Sequence, residues 1–297
     1  MYSRSTWLHL RIPFSYFLLP VFLFSMAISP NPDTHRLFWV FFIIHILLYP
    51  ASNGYNSYFD KDEKSIGGLK NPPPVEKGLY FTALLFDAIA IALGYLIVNI
   101  TFSIMLLIYG LVSKAYSHPS IRLKKYPITG WVAAGVFQGF FTLVMCYVGI
   151  NDFQIANALT AKVIYAGILS SAMLLGNYPM TQVYQHDEDA QRGDYSFSRM
   201  LGVRGTFWFV GGVFTFVFAG FITYFQFFFT IRYSLVFGIA LLPILIYFSF
   251  WFRSVWSDEA QADFSKTMWL NFISATCLNA FFLYLFFDST NILDSFI

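Results

Sequence analysis

Nine separate apolar runs, each long enough to cross a bilayer, dominate this 297-residue chain. A helix needs about 20 such residues to span the hydrocarbon core. Inside that core every backbone N–H and C=O must be satisfied without water, which leaves helices and closed barrels as the spanning structures. Long continuous runs, rather than short alternating ones, select helices. The spans read as residues 12–29, 37–58, 79–99, 101–117, 130–150, 161–185, 205–228, 233–252 and 268–287. Apolar residues make up 57% of the chain and charged ones 11%, against about 45–50% and about 25% in a soluble domain. The expectation is an all-α polytopic membrane protein with one domain over residues 1–297, little chain being left for a soluble one.

The scarce charge is sorted between the two sides. Fifteen of the 18 basic residues fall before the first run or between even and odd runs, leaving Arg36, Lys162 and Arg232 for the other side. A missed or extra helix would scramble this alternation. The positive-inside rule then places the N-terminus and the even-to-odd loops in the cytoplasm. The long polar loops 59–78, 118–129, 186–204 and 253–267 lie on that same side, so chemistry is expected at a cytoplasmic mouth. A formal net charge of +2 gives no reason to expect a nucleic-acid partner. Cys146 and Cys277 both sit inside apolar runs, so neither a disulfide framework nor a zinc site is expected. Arg4 and Arg11 ahead of the first run imitate a secretory signal, but the run is long and Ser25-Met26-Ala27 is a poor cleavage site, so no cleavage is expected.

Three polar clusters interrupt the apolar background. His45, Tyr49, Asn53, Asn56 and Asp60 recur at helical spacing along one face at the end of the second span, followed by Asp62 and Glu63. Lipid cannot satisfy such a stripe, so it must face protein or a water-filled cavity. For His45 and Tyr49 interhelical hydrogen bonding is the simpler reading, and for Asn53, Asn56 and Asp60 a ligand site. The sixth span repeats the pattern with Tyr178, Gln182, Gln185 and Asp189, inside the run Gln185-His186-Asp187-Glu188-Asp189. Amide and carboxylate oxygens at two helix ends suit a hard cation, and Mg²⁺ is usually held by one or two carboxylates together with substrate phosphates. No GxxxxGK[ST] loop is present. The third cluster, Lys114, Arg122, Lys124 and Lys125, borders the fourth and fifth spans on the same side. The positive-inside rule alone would place cations there, but Arg and Lys facing metal-binding acids are also what a diphosphate requires.

Other features have structural readings. Asp87 and Gln138 are expected to hydrogen-bond within the bundle, and Gly135 with Gly139 forms a GxxxG close-packing site. Most of the 37 Phe and 19 Tyr are expected to meet lipid or form interfacial belts, with a minority lining a chamber whose ring faces stabilise a carbocation.

Taken in order, these motifs resemble the UbiA-type intramembrane prenyltransferase superfamily. The resemblance rests on Asn56-x3-Asp60, on Tyr-Ser-x-Pro-x-x-Arg-Leu-Lys from Tyr116 to Lys124, and on Asp189-x3-Gly193 followed by Leu201-Gly202. Asn71-Pro72 and Arg11-x-Pro13 fit as well. It implies nine helices ringed around a central cavity, with Mg²⁺ binding the diphosphate of a polyprenyl donor at the cytoplasmic opening. Carried over position by position, Asn56, Asp60, Gln185 and Asp189 become the metal-site candidates. Arg122, Lys124, Tyr116 and Asn53 become the diphosphate-binding candidates. Two carboxylates of the family pattern are replaced, one by Lys64 and one by Gln185, and Ser57 stands where the family has Asp or Gln. Asp62, Glu63, Asp187 and Glu188 are the neighbouring acids available to substitute. Lys64 and Asp187 therefore join Asp60 and Asp189 as candidate catalytic residues.

The implied reaction is Mg²⁺-dependent transfer of an isoprenyl group to an aromatic or lipid-type acceptor within the membrane, with release of pyrophosphate. Tyr184, His186 and Asp187 all stand as candidates for the base. A terpene cyclase on the same scaffold is the alternative within enzymology; a non-catalytic transporter or binding protein is the alternative outside it.

Overall fold

The computed structural model describes residues 3–290. Among these residues no strand forms, and an isolated bridge between Ile66 and Leu69 is the β-type pairing present. Nine helices among them are long and apolar enough to cross a membrane: Arg4–Ile28, Thr34–Asp60, Lys77–Val98, Ile100–Ser117, Pro127–Asn151, Ala161–Thr181, Phe197–Phe228, Ile231–Ser257 and Phe264–Thr290. They are called the first to ninth spans below. Each contains the centre of one expected apolar run.

The spans close into a ring. Each packs on its successor in chain order, and the ninth returns to the first. Lipid is as apolar as leucine, so close packing rather than hydrophobic burial must hold such helices together. Gly139 shows how close: a Cβ there would lie 2.4 Å from the Cα of Ser171 on the sixth span, and the Ser171 hydroxyl bonds the Phe140 N–H at 2.8 Å. The second half of the fifth span, Thr142–Asn151, is buried at all ten positions. It packs against the first, second and fourth spans, filling one end of the ring. Any cavity must open at the other end or sideways.

Aromatic side chains do more structural work than expected. Phe216, Phe227 and Phe250 face outward, but Tyr224, Phe221, Phe225, Phe237 and Phe282 are almost wholly enclosed. Phe24 stacks on Phe282 at 4.5 Å between centroids, joining the first span to the ninth. These rings fill the seam where the first, seventh, eighth and ninth spans meet.

Proline and glycine break the spans where the polar end is built. In the first span, Arg11 takes a left-handed conformation (φ 48°) ahead of Pro13, dividing the helix Arg4–Leu10 from a 3₁₀ turn over Ile12–Leu18. The span thus begins eight residues before the apolar run, because Ser3 caps a short helix that the 71–74 loop covers: Ser5 and His9 bond the carbonyls of Pro74 and Pro73 at 2.6 and 2.8 Å. Pro50, which has no N–H to donate, follows a π-helical turn over Ile43–Leu48. Pro179 has the larger effect. The sixth span is α-helical only to Asn177, continues as a 3₁₀ turn over Tyr178–Thr181, and gives way to a separate helix over His186–Arg192. Tyr178, Gln182, Gln185 and Asp189 therefore do not share one helix face as their spacing suggested. The seventh span starts at Phe197, earlier than its apolar run, and kinks at Gly202 (φ 72°).

Candidate active site

The polar end of the ring gathers three chain segments. The second span delivers Asn53, Asn56 and Asp60 on one face before Lys61, left-handed at φ 50°, ends the helix. Beyond Ser117, Arg122 turns left-handed (φ 44°) into a 3₁₀ turn over Leu123–Lys125. That turn lies so close to the fifth span that a Cβ on Gly130 would stand 2.8 Å from the Lys124 Cα. The third segment is the helix His186–Arg192, closed by Gly193 at φ 73°. Its reversal returns the buried Asp194 beside Asp189, whose carbonyl accepts the Asp194 N–H at 2.9 Å.

The charges delivered by these segments are interlocked. Lys124 Nζ binds Asp60 and also donates to Asn56 Oδ1 at 3.1 Å. The Asn56 oxygen takes a second bond from the Ser117 hydroxyl at 2.8 Å. Arg122 donates through Nε and a terminal nitrogen to the two oxygens of Asp194, each at 2.8 Å, and reaches Asp60 at 3.3 Å. Arg192 holds Asp62, contacts Asp189 at 2.9 Å and approaches Asp194 at 3.7 Å. Such fork geometry to a carboxylate is the geometry an arginine also offers a phosphate.

Beneath this ionic layer lies a cavity of about 280 Å³. Asp60, Asp62, Asp189 and Asp194 line it together with Lys124, Arg192 and Arg11. Arg11 donates to the carbonyls of Gly67 and Asn53 at 3.1 and 3.3 Å, while its buried Nε and the Tyr184 hydroxyl find no partner among the described residues. Deeper in, Tyr116 and Tyr178 join hydroxyls, and Tyr49, Tyr109, Phe137 and Gln138 line the apolar part.

Burial and neighbouring charge tune the acids in opposite directions. Burial, with the charges of Asp194 and Asp60 adding to it, pushes the Asp189 carboxyl up to about 6, against the charge of Lys124. Burial also acts on Asp194, but the Arg122 hydrogen bond and the charges of Lys124, Arg122 and Arg192 outweigh it and hold that carboxyl below its usual range. The bond to Asp194 in turn raises Arg122. Two neighbouring carboxylates with different proton affinities thus sit in one cavity.

Of the candidates read from sequence, Asn53, Asn56, Asp60, Tyr116, Lys124, Gln185 and Asp189 line this cavity. Arg122 stands behind it, bracing Asp194 and Asp60. Gln185 donates to the Ser65 carbonyl at 3.3 Å. Lys64 has an exposed side chain, its backbone N–H bonded to Glu188 Oε1 at 2.9 Å, and Asp187 is exposed on the 186–192 helix. His186 is turned to the Ser198 hydroxyl at 2.8 Å. Lys114, grouped with the mouth cations by sequence, instead pairs with Asp87 of the third span. Arg11, Arg192 and Asp194 were not singled out as ligands. Their only sequence signal was position: Arg11 before a helix-breaking proline, and Arg192 and Asp194 on either side of a glycine able to turn the chain back.

Comparison with known proteins follows the same outline. The model of the UbiA prenyltransferase family matches residues 17–273. A UbiA homologue from Archaeoglobus fulgidus solved with DMAPP and Mg²⁺ superposes with a TM-score of 0.69 at 15% identity, covering 94% of this chain and 97% of the other. The same homologue solved with GPP and Mg²⁺ gives 0.65 at 15% identity, covering 95% and 99%. A structure described for the biosynthesis of digeranylgeranylglyceryl phosphate synthase in membranes gives 0.60 at 17% identity, covering 95% and 98%. No curated protein sequence matches the chain.

Proposed function

The chain belongs to the UbiA prenyltransferase family, and from that premise we propose that it transfers an isoprenyl group from a prenyl diphosphate to a lipophilic or aromatic acceptor, Mg²⁺ assisting and pyrophosphate leaving. The observation that carries this reading is the meeting of two acidic helix ends and a basic loop around one cavity whose inner wall is aromatic.

The residues fit the metal. Asn56, Asp60 and Asp189 line one space with hard oxygen atoms, and since among the described residues no group of three His, Cys, Asp or Glu could hold a metal ion by itself, phosphate oxygens of the substrate would have to complete its shell. An open set of this kind is what a Mg²⁺ completed by phosphate oxygens requires. When bound, the metal neutralises charge on the departing diphosphate.

The protein's own part begins with ion exchange. The four cavity-lining carboxylates, Asp60, Asp62, Asp189 and Asp194, are each paired with a cation in the free protein, so diphosphate and metal arrive at pairs already formed. Lys124 and Arg192 transfer their bonds from Asp60 and Asp189 to phosphate oxygens, and Arg11 adds its unpartnered Nε. Arg122 keeps Asp194 and Asp60 in register. The allylic C–O bond then breaks with its electron pair leaving on the diphosphate, an electron pair of the acceptor forms the new bond to the allylic carbon, and the proton the acceptor gives up is taken by the departing pyrophosphate. Tyr49, Tyr109 and Phe137 exclude water from the cationic carbon and offer it ring faces. In this reading Lys64 and Asp187, both exposed, do not touch substrate.

The filled end of the ring disfavours a through-pathway. The test is Mg²⁺-dependent pyrophosphate release from a panel of prenyl diphosphates by wild type, Asp60→Ala and Asp189→Ala. Release by wild type that falls at least about a hundredfold in both variants supports the proposal, this being the loss that follows removal of one charged group contacting the reaction centre. Equal release by all three refutes it. We also infer that the mouth is cytoplasmic, since it carries most of the basic residues. With Cys146 and Cys277 replaced by Ser, a cysteine at Glu63 should react with an impermeant maleimide only in inside-out vesicles, and one at Asn157 only in right-side-out vesicles.

A further inference from the structure

The acids that the mouth could offer to a second metal ion are engaged elsewhere. Two carboxylates of the family pattern are replaced by Lys64 and Gln185, with Asp62, Glu63, Asp187 and Glu188 as the neighbours able to make up the loss. The fold disposes of each. Glu63 and Asp187 are exposed, and Glu188 accepts the Lys64 N–H at 2.9 Å. Asp62 lines the cavity, but its side chain is 5% exposed and held by Arg192. Asp194, brought in by the reversal at Gly193, has both oxygens on Arg122.

Arg192 is placed as a bridge. It belongs to the 186–192 helix, whereas Asp62 follows the end of the second span, so one guanidinium joins the two acidic segments. One terminal nitrogen holds Asp62, the other contacts Asp189 at 2.9 Å, and Nε stands 3.7 Å from Asp194 Oδ2. Without a cation among them these three carboxylates would repel one another, and a largely enclosed site screens that repulsion poorly. A divalent cation is the other species able to gather them. The tethered arginine cannot leave, but it lines the cavity. Its planar fork can keep Asp62 on one nitrogen while the other turns from Asp189 to a phosphate oxygen. That exchange frees Asp189 for metal and leaves Asp62 occupied.

We propose that Arg192 does the work of a second divalent cation, so that a prenyl diphosphate binds with one Mg²⁺ rather than two. The proposal rests on the prenyl-transfer reading and states how its leaving group is neutralised: by one metal on Asn56, Asp60 and Asp189, and by a permanent guanidinium between Asp62 and the diphosphate. Arg192 touches the substrate in this account and is therefore a catalytic residue.

Counting the metal tests this. The full chain in phosphatidylcholine nanodiscs is titrated with Mn²⁺ in the presence of one geranyl S-thiolodiphosphate per chain, free Mn²⁺ being read by its EPR signal. Wild type should bind one Mn²⁺. Arg192→Met and Arg192→Ala should each bind two, because Asp62 then joins Asp189 as an open ligand. Arg192→Lys should keep the count at one, as should Arg192→Met combined with Asp62→Asn. In EDTA, wild type should still bind the radiolabelled analogue, and Arg192→Met should bind it about 10- to 100-fold more weakly, the scale of one hydrogen bond to a charged group. Two Mn²⁺ in wild type overturn the proposal, a result that depends on no variant. So does a count of one in both Arg192→Met and Arg192→Ala, or an analogue affinity in EDTA that is the same with and without Arg192. Failure of wild type to bind the analogue at any Mn²⁺ concentration overturns prenyl transfer itself, whereas a count of two with the analogue bound overturns only the role given to Arg192.

Discussion

Replacing Lys124 by Met separates the two tasks assigned to the mouth cations. The Lys124 and Asp60 side chains are 11% and 4% exposed, so their pair is largely withdrawn from water. Removing one partner of a buried pair costs about 3–5 kcal/mol. Here Arg122 still reaches Asp60 at 3.3 Å, which leaves a loss of about 2 kcal/mol and a fall in Tm of about 3 °C for a chain of this size. The same change frees Asp60 for metal. Mg²⁺ at a hundred times its Kd returns about 2.7 kcal/mol, so millimolar Mg²⁺ should raise the Tm of the variant more than that of wild type. Donor binding should move the opposite way, because one hydrogen bond to a charged group contributes about 1.5–3 kcal/mol, or a KM raised roughly 10- to 100-fold. Thermal scans in detergent at one scan rate, with and without Mg²⁺, and pyrophosphate-release kinetics provide the readings. A variant that Mg²⁺ stabilises no more than wild type, or whose donor KM is unchanged, refutes the ion-exchange account.

Because burial raises the Asp189 carboxyl to about 6 from 3.8, its contribution to metal-free stability is present in full below pH 4 and lost as pH rises through 6. The loss is roughly 3 kcal/mol, and Asp189→Asn should abolish that slope in thermal scans across pH; Mg²⁺ affinity of wild type, read by calorimetry, should weaken below pH 6 as a proton competes for the ligand. Lys114→Met leaves Asp87 buried and unpaired and should lower Tm by about 4–10 °C, whereas Asp87→Leu with Lys114→Met should recover most of it, since both halves of the pair are then gone. Gly139→Ala drives a Cβ into the Ser171 backbone and should abolish monodisperse elution, while Gly212→Ala, with open space around it, should raise Tm slightly, by the helix preference of about 1 kcal/mol.

Much of the architecture was legible because lipid imposes a length and a polarity on each crossing. The ends were less so. Ser3 capping a helix before the apolar run, and Phe197 starting the seventh span early, depend on loops that only the fold brings into contact. Of the site, Asn56 and Asp60 were legible because a polar residue at membrane depth needs a polar surrounding, and Lys124 and Asp189 because they belong to charged clusters in the loops beside that span end. Asp194 and Arg11 were not, since each owes its place to a chain reversal, at Gly193 and at its own left-handed backbone.

Nine crossings and polar clusters confined to one end are properties of the sequence alone, for hydropathy acts residue by residue and needs no knowledge of neighbours. Which cation holds which acid is a property of the folded ring. Lys114 and Lys124 read alike along the chain, yet one is paired with Asp87 and the other with Asp60. The Coulomb energy of a pair depends on distance and on local burial, and both are set only when the helices have packed.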